Sequence, residues 1–252
     1  MSQMPFVSLI TPTYNRRFFW PSMLSNFTSQ TYPAAKMEWV IFDDGTDSIE
    51  DLVVEAQKKY PQIRYIRSDD KQLIGQKRNR LNDEARGDII VAMDDDDYYA
   101  TDRVAHVVQM FARNPKVELA GSSEIFMYYT DNKKIYKIGP YGPKHATNGT
   151  MAWRKSYNKT HRYDDYHTHA EEKSFLDNYV NPMVQLDSRK VMLVIAHSMN
   201  TFDKRGIRDQ PNNPMFKLTS LKLKDFVRSA EMRAHFEQAE IADFKEAPVI
   251  PG

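Results

Sequence analysis

Ile89-Ile90-Val91-Ala92-Met93-Asp94-Asp95-Asp96-Asp97 joins five apolar residues to four carboxylates without a break. The apolar part reads as a buried strand. A strand that ends in carboxylates delivers charge to the carboxyl edge of its sheet, where open α/β folds place their ligands. Adjacent anions are unfavourable unless a cation sits among them, and hard divalent ions such as Mg2+ or Mn2+ prefer oxygen ligands. A solvated acidic turn is the alternative reading of such a run.

The residues upstream alternate strand and helix. Phe6 to Thr11 is apolar and β-rich, and Pro12 is expected to break it. Phe18 to Ser29 suits a helix, Glu38 to Phe42 a strand ending in Asp43-Asp44-Gly45, and Ile49 to Lys59 a helix with one apolar face. Ile63 to Ile66, a basic-faced helix from Ile74 to Ala85 and a strand from Asp88 to Met93 complete the series. This β-α-β-α order predicts an α/β fold with a mainly parallel central sheet and helices on both faces. Downstream, the pattern predicts a helix from Thr101 to Arg113, a long strand from Val117 to Tyr129 and a hairpin turn at Asp131-Asn132-Lys133. Loops are expected over 139–148 and 157–169, a helix from Glu171 to Tyr179 and strands at Met183 to Leu186 and Val191 to Ala196. Leu218 to Ala242 reads as an amphipathic helical segment that covers the domain.

The chain has 252 residues, enough for one large domain, and its formal net charge is +1. No global field therefore favours nucleic acid or an anionic membrane. The absence of cysteine excludes a disulfide scaffold and Cys-ligated zinc. No stretch reaches the length of a membrane span, and the N-terminal residues lack a signal-peptide pattern, so a soluble cytoplasmic protein is expected. On that view the sequons at Asn148 and Asn158 are accidental. His161, His167 and His169 are spaced too irregularly for a zinc site. Oligomeric state is left open.

Five segments carry a resemblance, in order. They are Val7 to Asn15 (VSLITPTYN), Val40 to Ser48 (VIFDDGTDS), Gly75 to Asn79 (GQKRN), Ala85 to Ile90 (ARGDII) and the aspartate run. Together they resemble the signatures of family 2 glycosyltransferases, with Thr46 in place of a serine and one residue fewer before Arg78-Asn79. The resemblance implies a GT-A type nucleotide-binding sandwich spanning 1–252 as a single domain. Residues 1–100 would hold the nucleotide sugar, 101–215 the acceptor, and 216–252 would be the C-terminal helical segment. It further implies a nucleotide diphosphate sugar as donor, a UDP-sugar by the uracil-reading carboxylate, and Mn2+ or Mg2+ as cofactor.

Residue by residue, the resemblance places Thr11, Pro12, Thr13 and Tyr14 against the base. Asp44, with Asp43, would accept from the uracil ring N–H. Arg78 would reach the diphosphate or Asp44. Strand alternation would send Asp94 and Asp96 to one side; Asp94 then falls to ribose and metal, Asp96 to direct metal coordination, and Asp95 beside them at the nucleotide. His197 resembles a histidine that several members place on the metal, with Asn200 and Thr201 continuing the likeness. Members that invert the anomeric centre use one carboxylate as base, from an acidic pair opening a helix. The pair here is Glu171-Glu172, and register puts Glu172 on the proton and Glu171 beside the acceptor. Gly149 to Arg154 resembles the glycine-led segment under donor sugar and acceptor, and Trp153 would offer a face to a sugar.

The implied activity is transfer of a hexose to a hydroxyl of a glycan or glycoconjugate. A non-catalytic nucleotide- or sugar-binding module of the same fold is the alternative. A sugar-1-phosphate nucleotidylyltransferase fits less well, because Pro12-Thr13-Tyr14-Asn15 is not a Gly-rich phosphate loop.

Overall fold

The computed structural model describes residues 4–166, 171–200, 204–209 and 213–239. The strands are β1 (Val7–Thr13), β2 (Met37–Asp43), β3 (Ile63–Arg67), β4 (Ile89–Ala92), β5 (Tyr98–Tyr99) and β6 (Leu119–Gly121). They continue with β7 (Ile125–Tyr129), β8 (Lys134–Ile138), β9 (Ala152–Arg154), β10 (Met183–Gln185), β11 (Met192–Ala196) and β12 (Phe216–Leu218). The α-helices are α1 (Trp20–Thr28), α2 (Glu50–Gln57), α3 (Ile74–Glu84), α4 (Arg103–Arg113), α5 (Glu172–Phe175), α6 (Arg205–Arg208) and α7 (Ala230–Gln238).

The expected α/β sheet is present, with strand order β10-β6-β9-β4-β1-β2-β3. β1, β2, β3 and β4 pair in parallel, and only β9 runs antiparallel, between β4 and β6. Every residue of β1 and β2 is buried, as expected for strands covered on both faces. Pro12 does not end β1. The pairing with β4 stops at Ile10, so at Pro12 the strand has a neighbour on one side only and no ladder bond is lost.

A second sheet, β12-β8-β7-β11-β5, was not legible in the sequence. The long strand expected from Val117 to Tyr129 is divided between the two sheets. Ser122 Oγ donates to the Glu124 carbonyl at 2.6 Å, and this tight turn lets the chain leave one sheet for the other. The helix expected from Glu171 to Tyr179 is a single turn, because Asp177, Asn178 and Tyr179 all adopt positive φ. Within the C-terminal segment only Ala230–Gln238 is α-helical among the described residues, and the expected helix beyond 239 lies outside them. Helix α7 does cover the domain: Phe236 is buried with Phe126, Tyr128, Leu193 and Ile195. No helix among the described residues is long and apolar enough to cross a membrane.

Candidate functional site

The carboxyl ends of β1, β2 and β4 bring three of the resembling segments to one edge. At β2, Asp43 directs its oxygens inward. Its Oδ1 accepts from Gly45 N (2.8 Å), and its Oδ2 accepts from Ile49 N (3.1 Å) and the Tyr65 hydroxyl (2.7 Å). Asp43 therefore holds the turn into α2 and is not open to a nucleotide. Asp44 forms a buried ion pair with Lys77 and accepts from Gln72 N at 2.7 Å. Lys77 also donates to the Thr13 carbonyl (3.3 Å), tying α3 to the end of β1. Burial pulls the Lys77 ammonium below its usual range, against the pull of Asp44. Arg78 was expected at the diphosphate or at Asp44. It pairs with Asp94 and Glu171, and Lys77, one residue earlier, takes the place at Asp44.

Thr11, Pro12 and Thr13 are enclosed within the sheet, and Thr11 Oγ1 accepts from Trp39 Nε1 at 2.8 Å. Of the four residues expected at the base, Tyr14 alone is partly open, with the Lys71 ammonium 4.4 Å from its ring centre.

The aspartate run follows β4 as a bend, so strand alternation does not apply to it. Asp94 Oδ1 lies 3.1 Å from both Arg78 Nη atoms, and Arg78 Nε donates to Glu171 at 2.8 Å. Asp95 and Asp96 instead share Arg16, at 3.9 and 3.7 Å. Asp96 Oδ2 also lies 3.4 Å from His197 Nε2 and 3.2 Å from Asn200 Nδ2. Asp97 is structural: its Oδ1 accepts from Ile195 N at 2.8 Å and its carbonyl from Asn26 at 2.8 Å. Beneath the run, fully buried Arg103 donates to the carbonyls of Ala92, Gly149 and Met151 (2.8, 3.0 and 3.2 Å) and so clamps the end of β4 to the 149–151 segment.

Burial and neighbouring charges move Asp95, Asp96 and Asp97 in different directions. Burial, reinforced by Asp96, pushes Asp95 up to about 7, and burial pushes Asp97 well above the usual range. Burial opposes ionisation of Asp96 as well, but contacts from His197 and Arg16 hold it well below the ordinary carboxylate range. Burial also lowers His197 and favours its neutral ring. Asp96 is thus held as an anion.

Asp96 and His197 converge as a metal pair would, while Asp94, expected with them, faces Arg78. No group of three or more His, Asp or Glu suited to a metal exists among the described residues. Two protein ligands fit a Mg2+ or Mn2+ site of the kind completed by substrate phosphates and water.

Glu171 is taken up by its ion pair with Arg78, whereas Glu172, half-buried in the first turn of α5, has no ion pair among the described residues. Burial, with Glu171 adding to it, pushes the Glu172 carboxyl up to about 7. The tyrosine hydroxyl of Tyr163 and the Asn148 amide pack against Arg78: with its oxygen turned toward Arg78, Asn148 accepts from Nη1 at 2.6 Å and donates to Tyr163 at 2.6 Å. Gly75 is required because a Cβ there would sit 2.0 Å from the Asp164 carbonyl, so α3 docks directly on the 163–165 loop.

Trp153 is corrected. It is fully buried in β9, edge-on to Phe175 at 5.0 Å, and offers no face to a sugar. Both sequon asparagines are also inward: Asn148 is buried, and the Asn158 amide atoms are enclosed. His161 stacks on Tyr157 at 3.8 Å, and His167, His169 and Thr201 lie outside the described residues. Sequence reasoning missed Arg16, Lys77, Asn148 and Arg103. Only Arg16 had a signal, its place directly after Tyr14-Asn15, where Asn15 takes φ 53° and turns the chain back over the site.

The chain is similar to several known proteins. It is 32% identical over 111 residues to an uncharacterized glycosyltransferase of Haemophilus influenzae, covering 44% of this chain and 36% of that one. It is 31% identical over 114 residues to the beta-monoglucosyldiacylglycerol synthase of a Nostoc species, covering 44% and 24%. The chain thus spans well under half the length of both relatives. Among solved structures, S. aureus TarS (residues 1–349) in complex with UDP-GlcNAc superposes with a TM-score of 0.62 at 16% identity, over 75% of this chain and 58% of that one. The mannosyltransferase PcManGT of Pyrobaculum calidifontis, with GDP-Man and Mn2+, superposes with 0.63 at 16% identity, over 79% and 59%. The expected GT-A type fold is therefore the fold observed. The model for glycosyl transferase family 2 matches residues 8–172, from the start of β1 to Glu172, and with the acidic edge just described it shows that the chain belongs to that family.

Proposed function

We propose that this chain is a metal-dependent, inverting glycosyltransferase that moves a hexose from a nucleotide diphosphate sugar, a UDP-sugar, to a hydroxyl of a glycan or glycoconjugate. The observation that carries the reading is the division of labour in the acidic pair. Glu171 is locked to Arg78, while Glu172 titrates at about 7, where a general base works best near neutral pH. Both stand at the same sheet edge as Asp44 and Asp96. That TarS has been solved with UDP and UDP-GlcNAc, and PcManGT with GDP-Man and Mn2+, supports a nucleotide-sugar donor and a divalent ion.

In this reading Tyr14 lines the base, and Asp44, enclosed by Lys77 and Gln72 N, fixes the strand end beneath it. Asp96 and His197 would hold the divalent ion, which when bound offsets charge on the departing diphosphate. Arg78 holds Asp94 and Glu171 in place. Glu172 takes the proton from the acceptor hydroxyl as its oxygen bonds to the anomeric carbon. The bond from that carbon to the diphosphate oxygen breaks on the opposite face, its electron pair leaving with the nucleotide, so configuration inverts.

Calorimetric titration of UDP, GDP, dTDP and CDP with Mn2+ and with EDTA, on wild type and Asp96→Ala, tests this. Metal-dependent binding of UDP that Asp96→Ala abolishes is the expected result. Binding indifferent to metal and to Asp96 would sink the metal assignment. Binding without any turnover in the presence of acceptors would favour the non-catalytic module.

A further inference from the structure

The turn that carries Glu172 continues into an unusual backbone. Asp177, Asn178 and Tyr179 take φ of 48°, 56° and 63° in succession. Asp and Asn tolerate that region, but a tyrosine there is an outlier that costs stability. Such strain persists where surrounding contacts over-determine it, and here they do: the Tyr179 ring packs on the core that holds Trp153 and Phe175, and stacks on His145 at 4.9 Å and 25°. His145 in turn meets Tyr141 at 4.8 Å, and Tyr141 is 48% exposed.

The loop bearing these rings is held in place. Gln185 Nε2 donates to the carbonyls of Pro143 (3.0 Å) and His145 (3.1 Å), and Lys144 Nζ donates to the Val180 carbonyl at 2.8 Å. The neighbours of Tyr141, Pro140 and Gly142, line a cleft of 490 Å³ whose other walls include Ser122, Ser123, Glu124, Asp187 and Ser188. A ladder of rings thus runs from the turn after Glu172 to a hydroxyl- and carboxylate-lined cleft.

We propose that Tyr179, His145 and Tyr141 form the acceptor platform, on which a pyranose ring of a neutral oligosaccharide lies next to Glu172. The assignment rests on the transferase reading above. The axial C–H face of a pyranose packs on an aromatic ring, and its hydroxyls suit a cleft of serines and carboxylates. Charge does not favour an anionic chain: Glu124, paired with Lys137 at 2.7 Å, and Asp187 line the cleft, and the Lys144 ammonium donates to a backbone carbonyl. Burial holds the His145 ring below its usual range, so it is uncharged at neutral pH, and its enclosed Nδ1 has no protein partner among the described residues. The ladder also supplies what buried Trp153 cannot.

Saturation-transfer NMR on the full chain with UDP and Mn2+, using cellotriose, chitotriose, maltotriose and laminaritriose as probes, tests the platform. At least one trisaccharide should bind wild type. Its affinity should fall at least tenfold in Tyr141→Ala, stay within twofold in Tyr141→Phe, and be unchanged in Val54→Ala, an equally exposed residue on α2. UDP affinity, measured alongside, should be the same in all four proteins. Normal UDP binding with no trisaccharide bound, or one bound equally by Tyr141→Ala, overturns the platform alone. Loss of UDP binding in wild type overturns the donor reading and the platform with it.

Discussion

The two edges of the site are built in opposite ways. On the edge proposed for the donor, the side chains sit at the ends of buried parallel strands, and most of the carboxylates are paired: Asp44 with Lys77, Asp94 with Arg78, Asp96 with Arg16 and His197. On the edge proposed for the acceptor, groups sit on loops, one-turn helices and a strained turn, and Glu172 has no cation of its own among the described residues. The first arrangement favours a fixed anionic cradle. The second favours a carboxylate poised to change its protonation state, at a cost in stability. This contrast yields four tests, taken in order of size.

Glu172→Gln should lower transfer by roughly 10²–10⁴-fold with nucleotide affinity unchanged, the range of a lost general base. Wild-type transfer should rise with pH through about 7, since the protonated carboxyl cannot accept the acceptor proton, and the residual rate of the variant should lose that dependence. Steady-state rates from pH 5 to 9 decide it; a flat wild-type profile would remove the contrast between the edges.

Lys77→Met leaves Asp44, whose side chain is 0% exposed, as an unpaired buried charge. Removing one partner of a buried pair costs about 3–5 kcal/mol. Urea denaturation should show that loss and its partial recovery in Lys77→Met/Asp44→Asn. A cost under about 1 kcal/mol would mean the donor edge is not held by pairing.

The acceptor edge should respond the other way. The Glu172 carboxyl titrates at about 7 in the folded chain against 4.5 ordinarily, so it takes up a proton on folding between those values and costs stability as pH rises through them. Glu172→Gln should therefore be more stable than wild type at pH 8 by at most about 3 kcal/mol, and no more stable at pH 4. Thermal denaturation at both pH values reads the difference. Destabilisation at pH 8 would show that the carboxylate has a partner the geometry does not reveal.

The smallest effect is a control. Arg162 pairs with Asp83 at 2.9 and 3.0 Å, but both side chains are about half exposed, at 54%. Arg162→Ala should change stability by less than about 1 kcal/mol and leave nucleotide affinity alone.

The same contrast explains what could be read from residues alone. The parallel strands and the carboxylates at 44 and 96 were legible because each lies in a short segment whose pattern is local, an apolar run and then a charge at its end; the acidic pair at 171–172 was legible only through the family resemblance. The acceptor edge was not. Trp153 looked like a sugar platform because its type suits one, yet β9 inserts it between two sheet neighbours, where only a core residue fits. Asp43 and Asp44 are adjacent and chemically identical, but one caps a turn while the other faces Lys77, a difference set by side-chain direction at a strand end.

The sequence by itself determined the strand-helix alternation, the family and the residues that end the central strands, because burial period and motif order are properties of neighbours along the chain. Tertiary structure alone decided which carboxylate pairs with which cation, that Glu171 rather than Glu172 takes Arg78, and that a second sheet divides the chain after Gly121. Those outcomes depend on groups such as Arg78 and Glu171, far apart in sequence and joined only when their elements pack. Desolvation and pairing, which set the charges, do not exist until that packing is complete.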